Sequence, residues 1–155
     1  MNGNIINIVF FVSAYLSWMA FGQELTVEQR VVAQTILGEA RGEGEAGMYA
    51  VACVIAQRSI NRNKTAKQIC LQRGKKVWQF SCWNPSDPNR KKLSELLKTH
   101  QHATYAKALA VNLTRLQRGY VKNADHYCHV NTNNYWTRKS KPVAIIGKHK
   151  FFKLR

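Results

Sequence analysis

The stretch Leu37-Gly38-Glu39-Ala40-Arg41-Gly42-Glu43-Gly44-Glu45 gathers three of only eight acidic residues in a chain of 155 that carries 24 lysines and arginines. In so basic a chain most carboxylates should be scattered beside cations, so three together mark a place where carboxyl chemistry could occur. Glu39 and Glu43 are four apart, the spacing that puts two side chains on one face of a helix. On an apolar face, lost hydration and mutual repulsion both favour the protonated form of one carboxyl of the pair. A carboxyl protonated near neutral pH is a general acid, the group that protonates a departing oxygen such as that of a glycosidic bond. The plainer reading of Glu39 is a helix-end carboxylate bridged to Arg41 or another local cation. Glu43 is open between a second catalytic carboxylate and a structural partner of a backbone amide or arginine. Glu45 falls off this face and is expected to be solvated or paired with a lysine.

The elements that must position these residues can be read from spacing and capping. Thr26-Val27-Glu28-Gln29 has the form of a capping box and should open a helix running through Val31, Val32, Ile36 and Leu37 toward Gly42. On that helix Glu39 shares the side of Val32 and Ile36, which faces the core. Ala46 to about Ile60 is apolar nearly all round and rich in small residues, as a buried central helix requires. Thr65-Ala66-Lys67-Gln68 repeats the capping pattern ahead of a short helix ending near Gln72. Val77 to Trp83 reads as extended, and Asn84 to Asn89 as a turn-rich connection. A longer helix is expected within Leu93 to Arg118, with a break near Thr99. Ala124 to Val130, Tyr135 to Thr137 and Val143 to Leu154 read as short extended segments, with a turn at Gly147-Lys148. The pattern is that of a single α+β domain, predominantly helical, with no internal repeat and no linker.

Composition narrows the setting. Hydrophobic residues make up 45% and the formal net charge is +16, which describes a folded domain with a strongly basic surface rather than a disordered tail. Ile5 to Phe21 is an almost uncharged apolar run followed by Ala20-Phe21-Gly22, so residues 1–22 are expected to be a signal peptide or an N-terminal membrane anchor, and 23–155 the exported domain. Four cysteines in an exported chain suggest disulfides. Of the possible bridges, Cys70 to Cys82 is expected first, because it would close a short basic loop with little core of its own. His126, Cys128 and His129 lie close together, but no Cys-x-x-Cys pair accompanies them, so no metal site and no cofactor are expected.

Several segments together carry a family resemblance. Ile36-Leu37-Gly38-Glu39-Ala40-Arg41-Gly42-Glu43, Gly47-Met48-Tyr49-Ala50-Val51-Ala52 and Val54-Ile55-Ala56-Gln57-Arg58 resemble the SleB-type cell wall hydrolases. So do Ile69-Cys70, Gln79-Phe80-Ser81-Cys82-Trp83, Ala124-Asp125-His126-Tyr127 and Ile146-Gly147-Lys148-His149-Lys150-Phe151. The chain departs from the family pattern at Asp125, where threonine is usual, and at Cys128, where an aromatic residue or histidine is more common. The resemblance implies a lysozyme-like fold that cleaves the glycan strands of peptidoglycan, with Glu39 as the catalytic residue. It further implies lytic transglycosylase chemistry, in which one glutamate acts first as acid and then as base and leaves an anhydromuramyl end. Hydrolysis by a second carboxylate, with Glu43 in that role, stays open.

Sugar rings stack on aromatic platforms, so Phe80, Trp83, Tyr127, Tyr135 and Trp136 are candidate groove residues, with His126 beside them. In an extended segment Phe80 and Trp83 would point to opposite sides, leaving at most one in the groove. The resemblance places Tyr127 near the acid, where its hydroxyl could orient the carboxylate or a sugar acetamido group. The expected partners are peptidoglycan and anionic wall polymers, met by a monomer with possible membrane association through its N-terminal segment. Basic runs such as Arg73 to Lys76 and Arg138 to Lys141 would also suit phosphates, but no nucleic-acid-binding fingerprint accompanies them and export argues against that partner. The reading from a different class is a non-catalytic cationic protein that binds walls or disrupts membranes on the same fold.

Overall fold

In a computed structural model of the chain, the described residues are 24–133 and 135–154, for Tyr135 the backbone only. The leader or anchor expected over residues 1–22 lies outside them. Helix α1 spans Val27–Ala40 and opens as its sequence requires: the Thr26 hydroxyl accepts from the Gln29 amide at 3.1 Å, and Gln29 Oε1 accepts from the Thr26 amide at 2.9 Å. Its buried face is Val32, Ala33, Ile36 and Leu37. A 3-10 turn over Arg41–Glu43 follows, and Gly44, at φ +68°, occupies a backbone region that side chains disfavour. Helix α2, Gly44–Arg62, is buried along most of its length and ends at Asn63 in the left-handed region. Helix α3, Ala66–Cys70, carries the second capping box, formed by Thr65 and Gln68.

The expected long helix is two helices, α4 over Leu93–Thr99 and α5 over Ala103–Val111, followed by 3-10 turns at Leu113–Arg115 and Arg118–Val121. Helix α1 packs against α2, α3, α4 and α5 and so forms the axis of the domain. Phe80, Phe151, Ile36, Leu37, Met48, Ile55 and Leu109 are fully buried around it, each contributing roughly 1.5–3 kcal/mol by leaving water. A three-stranded antiparallel sheet, in the order β1-β3-β2, closes one side. Its strands are β1, His126–His129, β2, Ala144–Ile146, and β3, His149–Phe152, with Tyr127 opposite Phe151. Gly147 makes the β2–β3 turn at φ +55°.

Three expectations are corrected here. Val77 to Trp83 is not a strand: only Arg73 and Trp78 form a bridge, the Trp78 amide donates to Asn84 Oδ1, and Ser81–Trp83 is a 3-10 turn. Tyr135–Arg138 is a short helix, α6, rather than extended. Cys53, Cys70, Cys82 and Cys128 are all free buried thiols, so the Cys70–Cys82 bridge is not formed. Cys82 lies directly on Gly38 of α1.

A Cβ at Gly38 would stand 2.6 Å from Cys82 Cβ and 2.9 Å from its Sγ, so only glycine lets the 81–83 turn rest on the helix. Gly38→Ala is therefore expected to lower stability by roughly 1–3 kcal/mol, read as a fall in melting temperature. An unchanged melting temperature would show that the contact is not needed.

Candidate active site

Glu39 stands on the last turn of α1, half-buried, and receives three donors. Oε1 accepts from the Cys82 backbone amide at 2.8 Å and the Ser81 hydroxyl at 3.1 Å, and Oε2 accepts from the Tyr127 hydroxyl at 2.7 Å. The two oxygens are therefore chemically distinct. An amide N–H can only donate, which keeps Oε1 an acceptor, whereas a phenol can donate or accept. Oε2 is the oxygen that can carry a proton without losing its partner. Ser81 is exposed, so the carboxyl is approached from solvent on that side.

Tyr127 comes from β1, with its ring 5.7 Å from Phe151, 6.4 Å from Phe80 and edge-on to His149 at 5.1 Å. Burial, together with the charge and hydrogen bond of Glu39, pushes its phenol well above the ordinary range and keeps the proton on the oxygen. The Cys82 thiol is likewise pushed up by burial and by Glu39, and stays protonated.

The other acidic residues are committed elsewhere. The 3-10 turn after Ala40 breaks the helical phase, so Glu43 does not stack on Glu39; its Oε2 accepts from the Lys148 amide at 2.7 Å and tethers the β2–β3 turn. This is the structural reading of Glu43, and it corrects the expectation of a second carboxyl on the same helical face. Arg41 does not bridge Glu39 either, since its Nη1 donates to the Leu37 and Gly38 carbonyls and its Nη2 to Asn89 Oδ1 at 2.7 Å. Asp125 is buried and accepts from His126 Nδ1 at 2.8 Å, the Leu154 amide at 2.9 Å and Asn61 Nδ2 at 3.2 Å. Burial opposes its ionisation, but the hydrogen bonds from His126 and Leu154, with the nearby charges of His126 and Arg58, hold the carboxyl below its usual value.

Of the candidate platforms, Phe80 is corrected outright: at 0% exposure it is core, because the 3-10 turn replaces the expected strand and sends its ring inward. Trp83 is half-buried, with its Nε1 donating to Thr35 Oγ1 at 2.9 Å. Trp136 is half-buried against Phe152 at 5.2 Å and His126 at 5.8 Å, so His126 and Trp136 form one patch on the outer side of the sheet strand that carries Tyr127. The side chain of Tyr135 lies outside the described residues.

Ser81, the Cys82 amide and His149 were not among the sequence-derived site candidates, although all three lie in the segments that carry the resemblance; a backbone donor has no residue signature. Among the described residues no group of three histidine, cysteine or acidic side chains is placed to hold a metal. An apolar depression of about 520 Å³ lies between the start of α1 and the ends of α2 and α5, with Val32, Ala56, Ile60 and Leu113 in its wall. It contains none of the residues around Glu39.

Two outcomes are expected. Tyr127→Phe should keep the fold and lower whatever catalysis depends on Glu39 about ten- to hundredfold, the worth of one hydrogen bond to a charged group; undiminished activity would remove Tyr127 from the site. Burial holds His126 and His149 below the ordinary histidine value, outweighing the carboxylates near them. A depressed histidine binds protons more readily when unfolded, so stability should fall as pH drops from about 7 to 5, and Asp125 adds a further loss below about pH 4. A melting-temperature series across pH checks this, and a flat profile would contradict it.

Known proteins share this architecture. The sequence profile of a family described as Cell Wall Hydrolase matches residues 42–152, well over half of the chain. Glu39 lies just before the matched span. A solved structure described as the catalytic domain of the germination-specific lytic transglycosylase SleB from Bacillus anthracis superposes with a TM-score of 0.60 at 20% identity, covering 85% of this chain and 98% of that one. The catalytic domain of the Bacillus cereus SleB protein superposes with a TM-score of 0.60 at 20% identity, covering 85% of this chain and 94% of that one. Comparison with curated protein sequences finds no significant match. The fold is thus the predominantly helical, lysozyme-like α+β architecture of SleB catalytic domains, and the chain belongs to the cell wall hydrolase family.

Proposed function

We propose that this cell wall hydrolase cleaves the glycan strands of peptidoglycan between N-acetylmuramic acid and N-acetylglucosamine as a lytic transglycosylase, with Glu39 as its catalytic acid and base. The observation that supports the reading is the setting of Glu39, which receives the exposed Ser81 hydroxyl, the Cys82 amide and the Tyr127 hydroxyl, whereas Glu43 Oε2 tethers the Lys148 amide and Asp125 is buried under three donors. Hydrolysis with Glu43 as the second carboxylate is the alternative outcome.

The steps follow from the two oxygens of Glu39. The Glu39 carboxyl gives its proton to the glycosidic oxygen, and the bond to the muramic C1 breaks. The muramic 6-hydroxyl then attacks C1, and the carboxylate takes the hydroxyl proton. The product is a 1,6-anhydro ring, and the proton count of the enzyme is restored without water entering. Tyr127 can accept from Oε2 when it is protonated and donate to it when it is not, while Ser81 and the Cys82 amide hold Oε1 still. Trp83, Trp136 and His126 are proposed sugar contacts. Residues 1–22 act as the export signal or anchor that delivers the domain at 23–155 to the wall. The charge of +16 supports retention on anionic wall polymers, and that retention should weaken with salt.

Glu39→Gln should remain folded and lose activity on isolated sacculi by roughly 10²–10⁴-fold. Activity that survives the substitution, and fades only with salt, would favour a non-catalytic cationic wall binder instead. Mass spectrometry of wild-type digests should find anhydromuramyl ends. Reducing muramic ends would mean hydrolysis, and released peptides on intact glycans would overturn glycan cleavage.

A further inference from the structure

Glu43 is no loose surface carboxylate. Its Oε2 accepts from the Lys148 amide at 2.7 Å, across 105 residues of sequence. Two glycines leave room for that contact. A side-chain carbon at Gly47, one helical turn further along α2, would run into Glu43 Cβ, and one at Gly147 would run into Oε2 itself. The carboxylate is therefore seated in a slot between the first turn of α2 and the β2–β3 turn.

Lys148 carries the tie onward. Its carbonyl accepts from the Val130 amide at 2.8 Å, just past the end of β1. The next residue, His149, pairs with His129 of β1 and sets its ring edge-on to Tyr127 at 5.1 Å. The start of β1 is held separately, from α2: the Asp125 carbonyl accepts from Arg58 Nε at 2.6 Å, and the Asp125 carboxylate from Asn61 Nδ2 at 3.2 Å. Tyr127 lies between these two anchorages, with its hydroxyl 2.7 Å from Glu39 Oε2. A sheet of three- and four-residue strands is marginal on its own, so the placing of that hydroxyl depends on what holds the sheet at each end.

We propose that Glu43 is a positioning residue: as acceptor for the Lys148 amide it fixes the far end of β1, through Lys148 and Val130, so that Tyr127 meets Glu39, and it takes no part in proton or glycosyl transfer itself. The proposal rests on the catalytic role proposed for Glu39. The two glutamates are joined by the Arg41–Glu43 turn, so one short segment supplies both the reacting carboxyl and the tether for its tyrosine donor. A misplacement of about 1 Å can cost on the order of a hundredfold in rate, which gives a tether remote from the chemistry a large effect on it.

The test uses the full chain and isolated sacculi, with initial rates, mass spectrometry of the products, and folding checked by circular dichroism. Glu43→Ala removes the acceptor, and the rate should fall roughly ten- to hundredfold. The fold should persist, because the Asp125 anchorage remains and the freed Lys148 amide lies in an exposed turn that water can reach. Glu43→Gln keeps an oxygen for the amide and should return most of the lost rate, with the same products. Gly147→Ala keeps the carboxylate but sets a methyl group against Oε2, and should lose rate as Glu43→Ala does. If Glu43 acts through Tyr127, Glu43→Ala combined with Tyr127→Phe should be little slower than Tyr127→Phe alone. Fully additive losses would overturn the proposal, as would wild-type rates in Glu43→Ala or Gly147→Ala, or a Glu43→Ala protein that does not fold. A folded but inactive Glu43→Gln protein would overturn it too, and would make Glu43 a reacting carboxylate. Glu39→Gln is run beside them: if it stays active, the role of Glu39 itself fails, whatever the Glu43 variants do.

Discussion

The site depends on one carboxyl being gripped by parts of the chain that have no local reason to meet. Glu39 sits on α1, its Oε1 donors come from the 81–83 turn, and its Oε2 donor comes from β1. Each arrives by a different route of packing. The turn reaches the helix because Gly38 has no side chain, and β1 is held there by the packing of the Tyr127 ring with Phe151 and Phe80. Hydrogen bonds of this kind contribute little net stability, so hydrophobic burial supplies the force and the polar contacts select the geometry.

The scarcity of acids gives them a common use. Of the eight, Glu28, Glu39, Glu43, Asp87 and Asp125 each accept from a backbone amide, at Lys67, Cys82, Lys148, Asn89 and Leu154 respectively. Four of these five link segments far apart in sequence. The acidic residues therefore act less as counter-ions to the lysines and arginines than as joints between loops and helices. The proposed retention on anionic wall polymers would draw on the excess of lysine and arginine that this leaves.

What could be read from sequence divides along the range of the interactions. The capping boxes at Thr26 and Thr65 are local, and both form as written. The family resemblance singled out Glu39, and the structure finds it half-buried at the end of α1 with three donors. Glu43 takes the structural role that the sequence left open, but not on the face of Glu39, because a 3-10 turn advances the chain differently from an α-helix and three residues of it suffice to change the face. Phe80 misled for a similar reason, as a strand was expected where the chain turns. The cysteines suggested a bridge from their number and from the short basic loop that Cys70 and Cys82 would close, whereas Cys82 packs on Gly38, 44 residues away in sequence, a contact that no short pattern encodes.

The tie between Glu39 and Tyr127 spans 88 residues, and that between Glu43 and Lys148 spans 105. Contacts of such reach form late, after the cost of closing long loops has been met. The acid therefore gains its donors only when helices and sheet have docked together. An incompletely folded chain has the glutamate but not the arrangement in which its carboxyl meets Ser81, Cys82 and Tyr127. Completion of the tertiary fold is what assembles those donors.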